Sequence, residues 1–412
     1  PPDAMDVFTF AFSAVGLVIA AGGGIGGGGI LVPLFMIFIK FRPKHAIALS
    51  NFTILGGSIA NTVFNVHKTD IEGAGMVDWD IIVMMEPTAI AGAAIGSFLA
   101  KFLPDFVLTL ALAAVLALLA YKTLDKGIKM YQRESEDESK GPDAVHDQFN
   151  QDEDQVCSDE EGGLLESHTL IGGEQAPLVQ QATPWGKIGL LTVCFGGCIV
   201  LTVLKGSGHG SIIGVECGSS GFWLLSFAAV PWVLFFGTVF RRMLIAESRQ
   251  KVEAGQKFDG SELRWDSRTT IRYPLVCTLA GVFAGLFGVG GGIVKGPLML
   301  EMGVNPLVAA STATTMILFT TTAACVSFEM FGLLEPWYGF LCFLLGLVCT
   351  AIGQGKVNAW MKGAKRQSPP VLSIGLVMAL STLLVFLEAF EKFTHEDFET
   401  LMMPTGICSI NS

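Results

Sequence analysis

Two sets of uncharged polar side chains lie within apolar stretches that are long enough to cross a membrane. The first set is spaced by seven, three and four residues, so its members share one face of a helix: Asn51, Ser58, Asn61 and Asn65. The second set forms a similar stripe further along the chain: Ser311, Thr314, Thr315 and Thr322. Polar side chains in a membrane helix face the bundle interior or a cavity. Their hydroxyl and amide donors suit an oxyanion with several acceptor oxygens. We predict that both stripes line such a site, with hydrogen bonding between helices as the alternative.

Two charged residues lie in equally apolar surroundings. Lys295 is a candidate to attract the anion, and the alternative is that its ammonium group snorkels to the membrane interface. Glu86 lies in an apolar stretch beside Pro87. A carboxylate inside a membrane is costly unless it is paired or protonated. We predict that Glu86 couples transport to protons; a salt bridge with a partner or an interfacial position is the alternative.

Glycine is concentrated at two places in this apolar sequence, "GGGIGGGGILVP" (22–33) and "GVGGGIVKGP" (288–297). Irregular backbone at membrane depth persists only where protein or a water-filled cavity satisfies its amide groups. We therefore predict that a helix breaks at each cluster. The freed N–H groups and helix N-termini would face one anion site, and the glycines assigned to it are Gly26, Gly27, Gly28, Gly290, Gly291 and Gly292. Close helix packing through small residues is the alternative.

The elements that must position these groups are membrane helices. Of the 412 residues, 51% are hydrophobic and only 15% are charged. Nine stretches approach the ~20 apolar residues that a transmembrane helix requires: 46–66, 81–103, 106–124, 185–204, 222–240, 273–294, 307–331, 337–353 and 371–390. Residues 7–39, which contain the first glycine cluster, make a tenth. The sequence thus predicts an all-α polytopic membrane protein with about ten transmembrane helices.

The chain also contains an internal duplication, roughly 7–130 and 273–391. Setting Pro33 against Pro297 aligns the glycine clusters, and after a one-residue gap "RPKHAIALSN" (42–51) aligns with "NPLVAASTAT" (305–314). Each homologous half therefore has one Gly-interrupted helix, which is typical of secondary transporters. Whether the halves are parallel or inverted stays open, because a broken helix that returns to its own side changes the number of crossings.

This duplication divides the chain into four parts. Residues 1–133 form a first transmembrane repeat, and 273–412 form a second repeat with a tail. Residues 184–272 supply two linking helices and a basic loop. Residues 134–183 hold fourteen Asp or Glu and one Lys, a net charge of −13, and are predicted to be a disordered loop.

Both halves carry a GxGGG motif followed by a proline and a helix rich in small residues, and in this they resemble the TauE/SafE sulfite exporter family in its eukaryotic form. The resemblance covers about 250 residues. It implies a membrane transporter for small sulfur oxyanions or organosulfonates, such as sulfite or sulfoacetate. Lys295, which interrupts the second motif, and the long acidic loop depart from the family pattern.

We therefore expect a secondary transporter that works by alternating access and is coupled to protons. A channel-like anion pore and a non-transporting membrane assembly subunit are the alternatives. We expect a multi-pass protein of the plasma membrane or an organelle membrane, whose partners are a small anion and the lipid bilayer. No catalytic residues, metal site, cofactor or nucleic-acid partner are expected. A homodimer and a protein partner for the acidic loop remain open.

Overall fold

A computed structural model describes residues 11–18, 28–66, 75–140, 184–206, 214–215, 219–253, 265, 268–304, 306–363 and 368–395. Within these residues the chain forms a short helical segment, 11–18, and eleven helices. The helices are α1 (Gly28–Ile37), α2 (Pro43–Val66), α3 (Trp79–Phe102), α4 (Asp105–Lys140), α5 (Trp185–Lys205), α6 (Ser220–Glu253), α7 (Thr269–Phe287), α8 (Gly292–Glu301), α9 (Pro306–Met330), α10 (Pro336–Gly363) and α11 (Ser368–His395).

The expected all-α membrane architecture is confirmed. Eight of the described helices, α2–α7, α9 and α10, are long and apolar enough to cross a membrane. The expected number of about ten is not reached among the described residues. The two glycine-linked helices α1 and α8 have only 10 residues each. In α11 a shorter apolar stretch is described, Met378–Leu387.

Polar contacts define the two ends of the bundle. At the first, which we call the Asp80 end, the Lys187 ammonium group of α5 bonds to Asp80 of α3 and to Glu247 of α6, each at 2.6 Å. The start of α3 therefore lies beside the start of α5 and the last turns of α6. At the opposite Lys44 end, Lys44 of α2 lies 3.2 Å from Asp105, the first residue of α4. Because α3 ends at Phe102, it crosses from the Asp80 end to the Lys44 end.

The second broken helix is a hairpin that starts and ends on the same side. α7 begins at the Asp80 end, where Arg241 of α6 donates to Thr270 Oγ1 at 3.2 Å. After α8 the chain is again at this end, because the Asp78 N–H donates to Thr312 Oγ1 in α9 at 3.0 Å. The predicted break is therefore present. Its backbone turns through Gly288, Gly290 and Gly291, which have φ of 68°, 78° and 68°.

These left-handed backbone angles explain why glycine occupies the break. A side chain at positive φ is strained, and only glycine adopts it freely. The break is also tied to the first half of the chain, because Ser50 Oγ of α2 donates to the Gly288 carbonyl at 2.9 Å.

Helix α1, which begins in the first glycine cluster, lies at the Lys44 end. α1 leads directly into α2, which begins at this end, and Phe41 between them stacks edge-on against Tyr338 at 5.3 Å. Gly28 begins α1. The remaining candidates of this cluster, Gly26 and Gly27, lie outside the described residues.

The two halves are inverted relative to each other. α2 runs from the Lys44 end to the Asp80 end, whereas its repeat counterpart α9 runs the opposite way. The Asn65 amide near the end of α2 accordingly donates to Thr314 Oγ1 near the start of α9, at 2.8 Å. The question that the sequence left open is thus answered in favour of inverted repeats.

Two helix pairs join the halves through close backbone contact. In α3 and α7, a Cβ atom on Gly92 would collide with the Thr278 carbonyl, and one on Gly281 would collide with the Ala89 carbonyl. In α2 and α10, a Cβ atom on Gly346 would collide with the Thr53 carbonyl. Small residues allow membrane helices to approach this closely. Each pair combines one helix from each half of the chain.

The remaining helices surround this centre. α11 runs antiparallel along α4, with Phe106 and Phe393 stacked at 6.1 Å at the Lys44 end. α5 and α6 pack against each other and against α3. α4 continues to Lys140, so the first seven residues of the acidic segment 134–183 are helical, while 141–183 lie outside the described residues.

Candidate functional site

A small pocket lined by both polar and apolar side chains lies where α2 crosses α9, next to α10 and the 11–18 segment. Its empty volume is about 330 Å³ including the space at its mouth, and its enclosed part has room for roughly a single water. The lining residues are Leu17, Thr53, Ile54, Gly57, Ser58, Asn61, Thr314, Ile317 and Thr350. Polar stripes from both halves of the chain therefore meet at one pocket.

Three of the site residues expected from the sequence line this pocket: Ser58, Asn61 and Thr314. Two further lining residues were missed, Thr53 and Thr350. Thr53 falls outside the seven, three and four spacing. Thr350 is a polar residue in an otherwise apolar stretch, and this signal could have identified it.

Asn61 is the one amide side chain in this lining, and its amide group is not hydrogen-bonded to the described residues. It is 5% exposed, its Oδ1 has no hydrogen-bond partner, and its amide makes no hydrogen bond with the described residues. A buried polar group without a partner costs about 1–3 kcal/mol. The Asn61 amide is therefore poised to bond with a ligand or water in the pocket.

Three of the four hydroxyl groups of the pocket differ from Asn61 because they already donate to their own helices. Thr53 Oγ1 donates to the Leu49 carbonyl, Ser58 Oγ to the Leu55 carbonyl and Thr314 Oγ1 to the Ser311 carbonyl, each at 2.9 Å. A hydroxyl has one hydrogen to donate. To bind an anion, each of these groups must rotate away from its carbonyl.

The glycine break lies next to the pocket, and two isoleucine side chains contact both. A Cβ atom at Gly290 would lie 3.3 Å from Ile54 Cγ2 and 3.8 Å from Ile317 Cγ2, and both isoleucines also line the pocket. Ile54 and Ile317 occupy equivalent positions in the two repeats. Helix α8 starts at Gly292 beside Ile317, so the positive end of its dipole lies next to the pocket. Gly290, Gly291 and Gly292 are not themselves among the lining residues.

The other expected polar residues are buried near the pocket but do not line it. The Asn51 amide donates to the Ile47 carbonyl at 3.0 Å, and its Oδ1 has no partner. Thr315 Oγ1 donates to the carbonyl of Ser311 at 2.9 Å. Ser311 is 8% exposed. The hydrogen bonds of Asn51 and Thr315 remain within their own helices. The expected stripes are therefore only partly exposed to the pocket.

Lys295 and Glu86 form an ion pair deep in the protein. Lys295 Nζ lies 2.9 Å from Glu86 Oε2, and both side chains are fully buried. The ammonium group also lies 3.4 Å from Thr320 Oγ1 of α9, whereas Glu86 Oε1 has no hydrogen-bond partner. Lys295 therefore does not snorkel to the interface, and Glu86 has the partner that such a depth requires. Sequence spacing could not reveal this pair, because the two residues are 209 positions apart.

A second charged group lies outside the membrane-spanning segments, at the Asp80 end. Asp78 caps α3, and its carboxylate accepts from the N–H groups of Asp80 at 2.9 Å and Ile81 at 3.1 Å. Burial, together with repulsion by the Asp80 carboxylate, raises the pKa of Asp78 to about 6. Among the residues that the structure describes, no three His, Cys, Asp or Glu side chains are grouped as a metal site requires.

Helices that cross the membrane, inverted repeats, a broken helix beside a polar pocket and a buried ion pair together define a multi-pass integral membrane protein of the transporter class. The model of the sulfite exporter TauE/SafE family matches residues 8–204 and 188–387. The chain belongs to this family, as its paired glycine motifs predicted.

Relatives of known sequence agree with this assignment. Sulfite exporter TauE/SafE family protein 5 of Arabidopsis thaliana is 31% identical over 374 residues, which cover 89% of this chain and 79% of the relative. Family protein 2 of the same plant is 29% identical over 381 residues, 89% of this chain and 79% of the relative. The probable membrane transporter protein YunE of Bacillus subtilis (strain 168) is 30% identical over 134 residues, 31% of this chain and 47% of that protein. No solved structure gives a significant match.

Proposed function

We propose that this membrane transporter is a secondary carrier of small sulfur oxyanions or organosulfonates, such as sulfite or sulfoacetate. The pocket at the crossing of α2 and α9 is its substrate site. The observation that carries this proposal is the buried, unpartnered Asn61 amide, which lines a pocket otherwise rich in hydroxyl groups. An amide and several hydroxyls can each donate to one of the oxygens of a sulfite or sulfonate group.

The position of the pocket supports alternating access. Thr53 and Thr350 belong to the tightly packed pair α2–α10, whereas Thr314 belongs to α9, which packs against both α2 and α3. The pocket thus lies at a boundary between two groups of helices. Sliding or tilting of α9 against the α2–α10 pair would open it without breaking the glycine contacts within that pair. Because each glycine-packed pair contains a helix from each half, the moving units are these mixed groups rather than the intact repeats.

The buried Glu86 supports coupling of this carrier to protons. Its carboxylate is the only fully buried acid among the described residues. A carboxyl group at membrane depth that can change its protonation state is the usual element of a proton relay. Glu86 is therefore the proposed coupling residue, and Lys295 is its electrostatic partner.

Counterflow in liposomes tests the carrier. Purified full-length protein is reconstituted, loaded with unlabelled sulfite or sulfoacetate, and supplied with the labelled anion outside. We expect saturable uptake with transient accumulation. The Asn61→Ala variant should raise the KM by roughly 10-fold or more, because a hydrogen bond to a charged group contributes about 1.5–3 kcal/mol. Thr192→Ala, which removes an exposed hydroxyl on α5, should leave the KM unchanged.

Two other results would contradict this proposal and favour a different function. Flux that does not saturate and shows no counterflow would indicate a channel-like pore. An absence of flux for every sulfur anion, in liposomes where the protein is folded, would favour a non-transporting assembly subunit.

A further inference from the structure

We infer that the Glu86–Lys295 pair makes anion binding and protonation mutually dependent, so that one proton accompanies each anion. This inference rests on the carrier function proposed above and specifies its coupling. While Glu86 is ionised, its charge neutralises the Lys295 ammonium group at 2.9 Å. When Glu86 is protonated, a positive charge remains without a counter-charge in a fully buried position, and an anion in the pocket can then supply it.

The ion pair is close enough to the pocket for this effect. Lys295 follows Gly292, the first residue of α8, by three positions, and Gly292 lies against the pocket-lining Ile317. The lysine also contacts Thr320, which lies six residues after the pocket-lining Thr314 on α9. At a rise of about 1.5 Å per residue the two threonines are roughly 9 Å apart along the helix. Over such a distance charges interact strongly where water is excluded.

Among the described residues, no other charge near Glu86 could replace Lys295. Besides Lys295 from α8 and the neutral Thr320 from α9, the nearby titratable group is Cys277 of α7. The charged groups of α5 and α6 that meet α3 in the described part of the chain lie at its two ends. These are Lys187 and Glu247 beside Asp80, and Lys205 over the ring of Phe98. The charge state of this interior is therefore set by the pair itself.

The free atoms of the pair suit this exchange. Glu86 Oε1 is buried and has no hydrogen-bond partner, so it can receive a proton without breaking a bond. Thr320 Oγ1 can accept from the Lys295 ammonium when the carboxylate no longer does. By thermodynamic linkage, an anion that favours protonation of Glu86 is itself bound more tightly when Glu86 is protonated.

The charge carried in each cycle provides the first test. Liposomes containing the full chain receive an acid-outside pH gradient, and potassium with valinomycin sets the membrane potential. Ethanesulfonate, a monoanion, should enter at a rate that an inside-negative potential does not change, because one proton balances its charge. Sulfoacetate, a dianion, should be slowed by the same potential. Equal slowing of both anions would overturn the one-to-one inference.

Variants of the pair provide the second test. Glu86→Gln mimics the protonated state, so it should abolish accumulation driven by the pH gradient while counterflow stays within about threefold of the unaltered protein. Lys295→Met should raise the KM for ethanesulfonate at least tenfold. The double variant Glu86→Gln/Lys295→Met removes both charges of the pair; it should remain folded and show both defects. Glu329→Gln, on an exposed acid of α9, is the matched control and should behave as the unaltered protein.

The outcomes separate this inference from the proposed function. If the unaltered protein shows no counterflow, the carrier proposal itself is wrong. If counterflow is present but Glu86→Gln still accumulates ethanesulfonate along the pH gradient, the carrier stands and the role of the ion pair is refuted.

Discussion

The polar residues of the interior fall into three kinds according to their hydrogen bonds. Most, such as Thr315, donate to a carbonyl of their own helix and stabilise packing. Asn65 links two helices through Thr314. Asn61 alone lines the pocket with an amide that has no bond to the described residues. Residue type cannot separate these kinds, because Asn51 bonds within its own helix, Asn65 bonds to a neighbouring helix and the Asn61 amide has no bond to the described residues.

Asp78 shows how a single carboxyl group makes stability depend on pH. Burial and the nearby Asp80 raise its pKa from 3.8 to about 6. The folded protein therefore binds this proton more tightly than the unfolded chain does. The corresponding stabilisation is complete below pH 3.8 and is lost as the pH rises through about 6.

We predict that Asp78→Asn removes this part of the pH dependence. Asparagine retains an oxygen that can cap α3, but it does not titrate. The thermal midpoint of the variant in detergent, minus that of the unaltered protein, should therefore increase from pH 4 to pH 6, because only the unaltered protein loses this stabilisation. Asp125→Asn removes an exposed acid paired with Lys129 and serves as the control. A constant difference for Asp78→Asn across this range would contradict the assignment.

At the scale of the helices, the glycines have two separate roles. Gly92, Gly281 and Gly346 lie within helices and allow close packing. Gly288, Gly290 and Gly291 form the break, where positive φ requires glycine. The predicted break is thus present at the second glycine cluster, whereas the close packing is made by glycines outside both clusters.

We predict that Gly291→Val abolishes uptake while leaving most of the protein at the membrane. Its φ is 68°, and an added Cβ would lie 3.3 Å from the Ala280 carbonyl oxygen and from Ala284 Cβ, so valine would be both strained and crowded. The measurement is labelled-anion uptake normalised to surface expression. Gly237→Val is the control, because nothing lies within 4 Å of that position. Normal uptake by Gly291→Val would show that the break does not shape the site.

The sequence predicted the helices well and their spatial relations poorly. The spans, the duplication and the second glycine break followed from composition, periodicity and alignment of the repeats. The direction of the halves did not, because hydropathy cannot distinguish a broken helix that crosses the membrane from one that returns. The pairing of Glu86 with Lys295 also required the folded structure, because the two residues are 209 positions apart.

At the scale of the whole molecule, the inverted halves place three basic segments on one side, whereas Lys40, Arg42 and Lys44 lie at the Lys44 end. Segments 122–133, 241–272 and 356–366 carry four, eight and four Lys or Arg, and the helices α4, α6, α7 and α10 bring all three to the Asp80 end. The positive-inside rule therefore makes the Asp80 end cytoplasmic. The helices that flank the acidic segment, α4 and α5, meet it at this same end.

Cysteine labelling tests this orientation in cells that carry the protein at the plasma membrane. A membrane-impermeant maleimide should label Trp337→Cys, at the exposed start of α10 on the Lys44 side, in intact cells. It should label Gln250→Cys, near the exposed end of α6, only after permeabilisation. The unaltered chain, whose described cysteines are buried, is the background control. The reverse pattern would invert the assigned topology.

We predict that the opposed directions of the two halves allow one sequence to adopt a pair of interconvertible shapes. If each half adopted the local conformation of the other, the same kinds of contact would recur with the mouth of the pocket turned to the other side of the membrane. The exchange would not be energetically neutral, since the repeat counterparts of Glu86 and Lys295 are Phe343 and Leu31. The charged pair that joins the two halves thus corresponds to an apolar pair that also spans them, and we expect pH and substrate to bias which shape prevails.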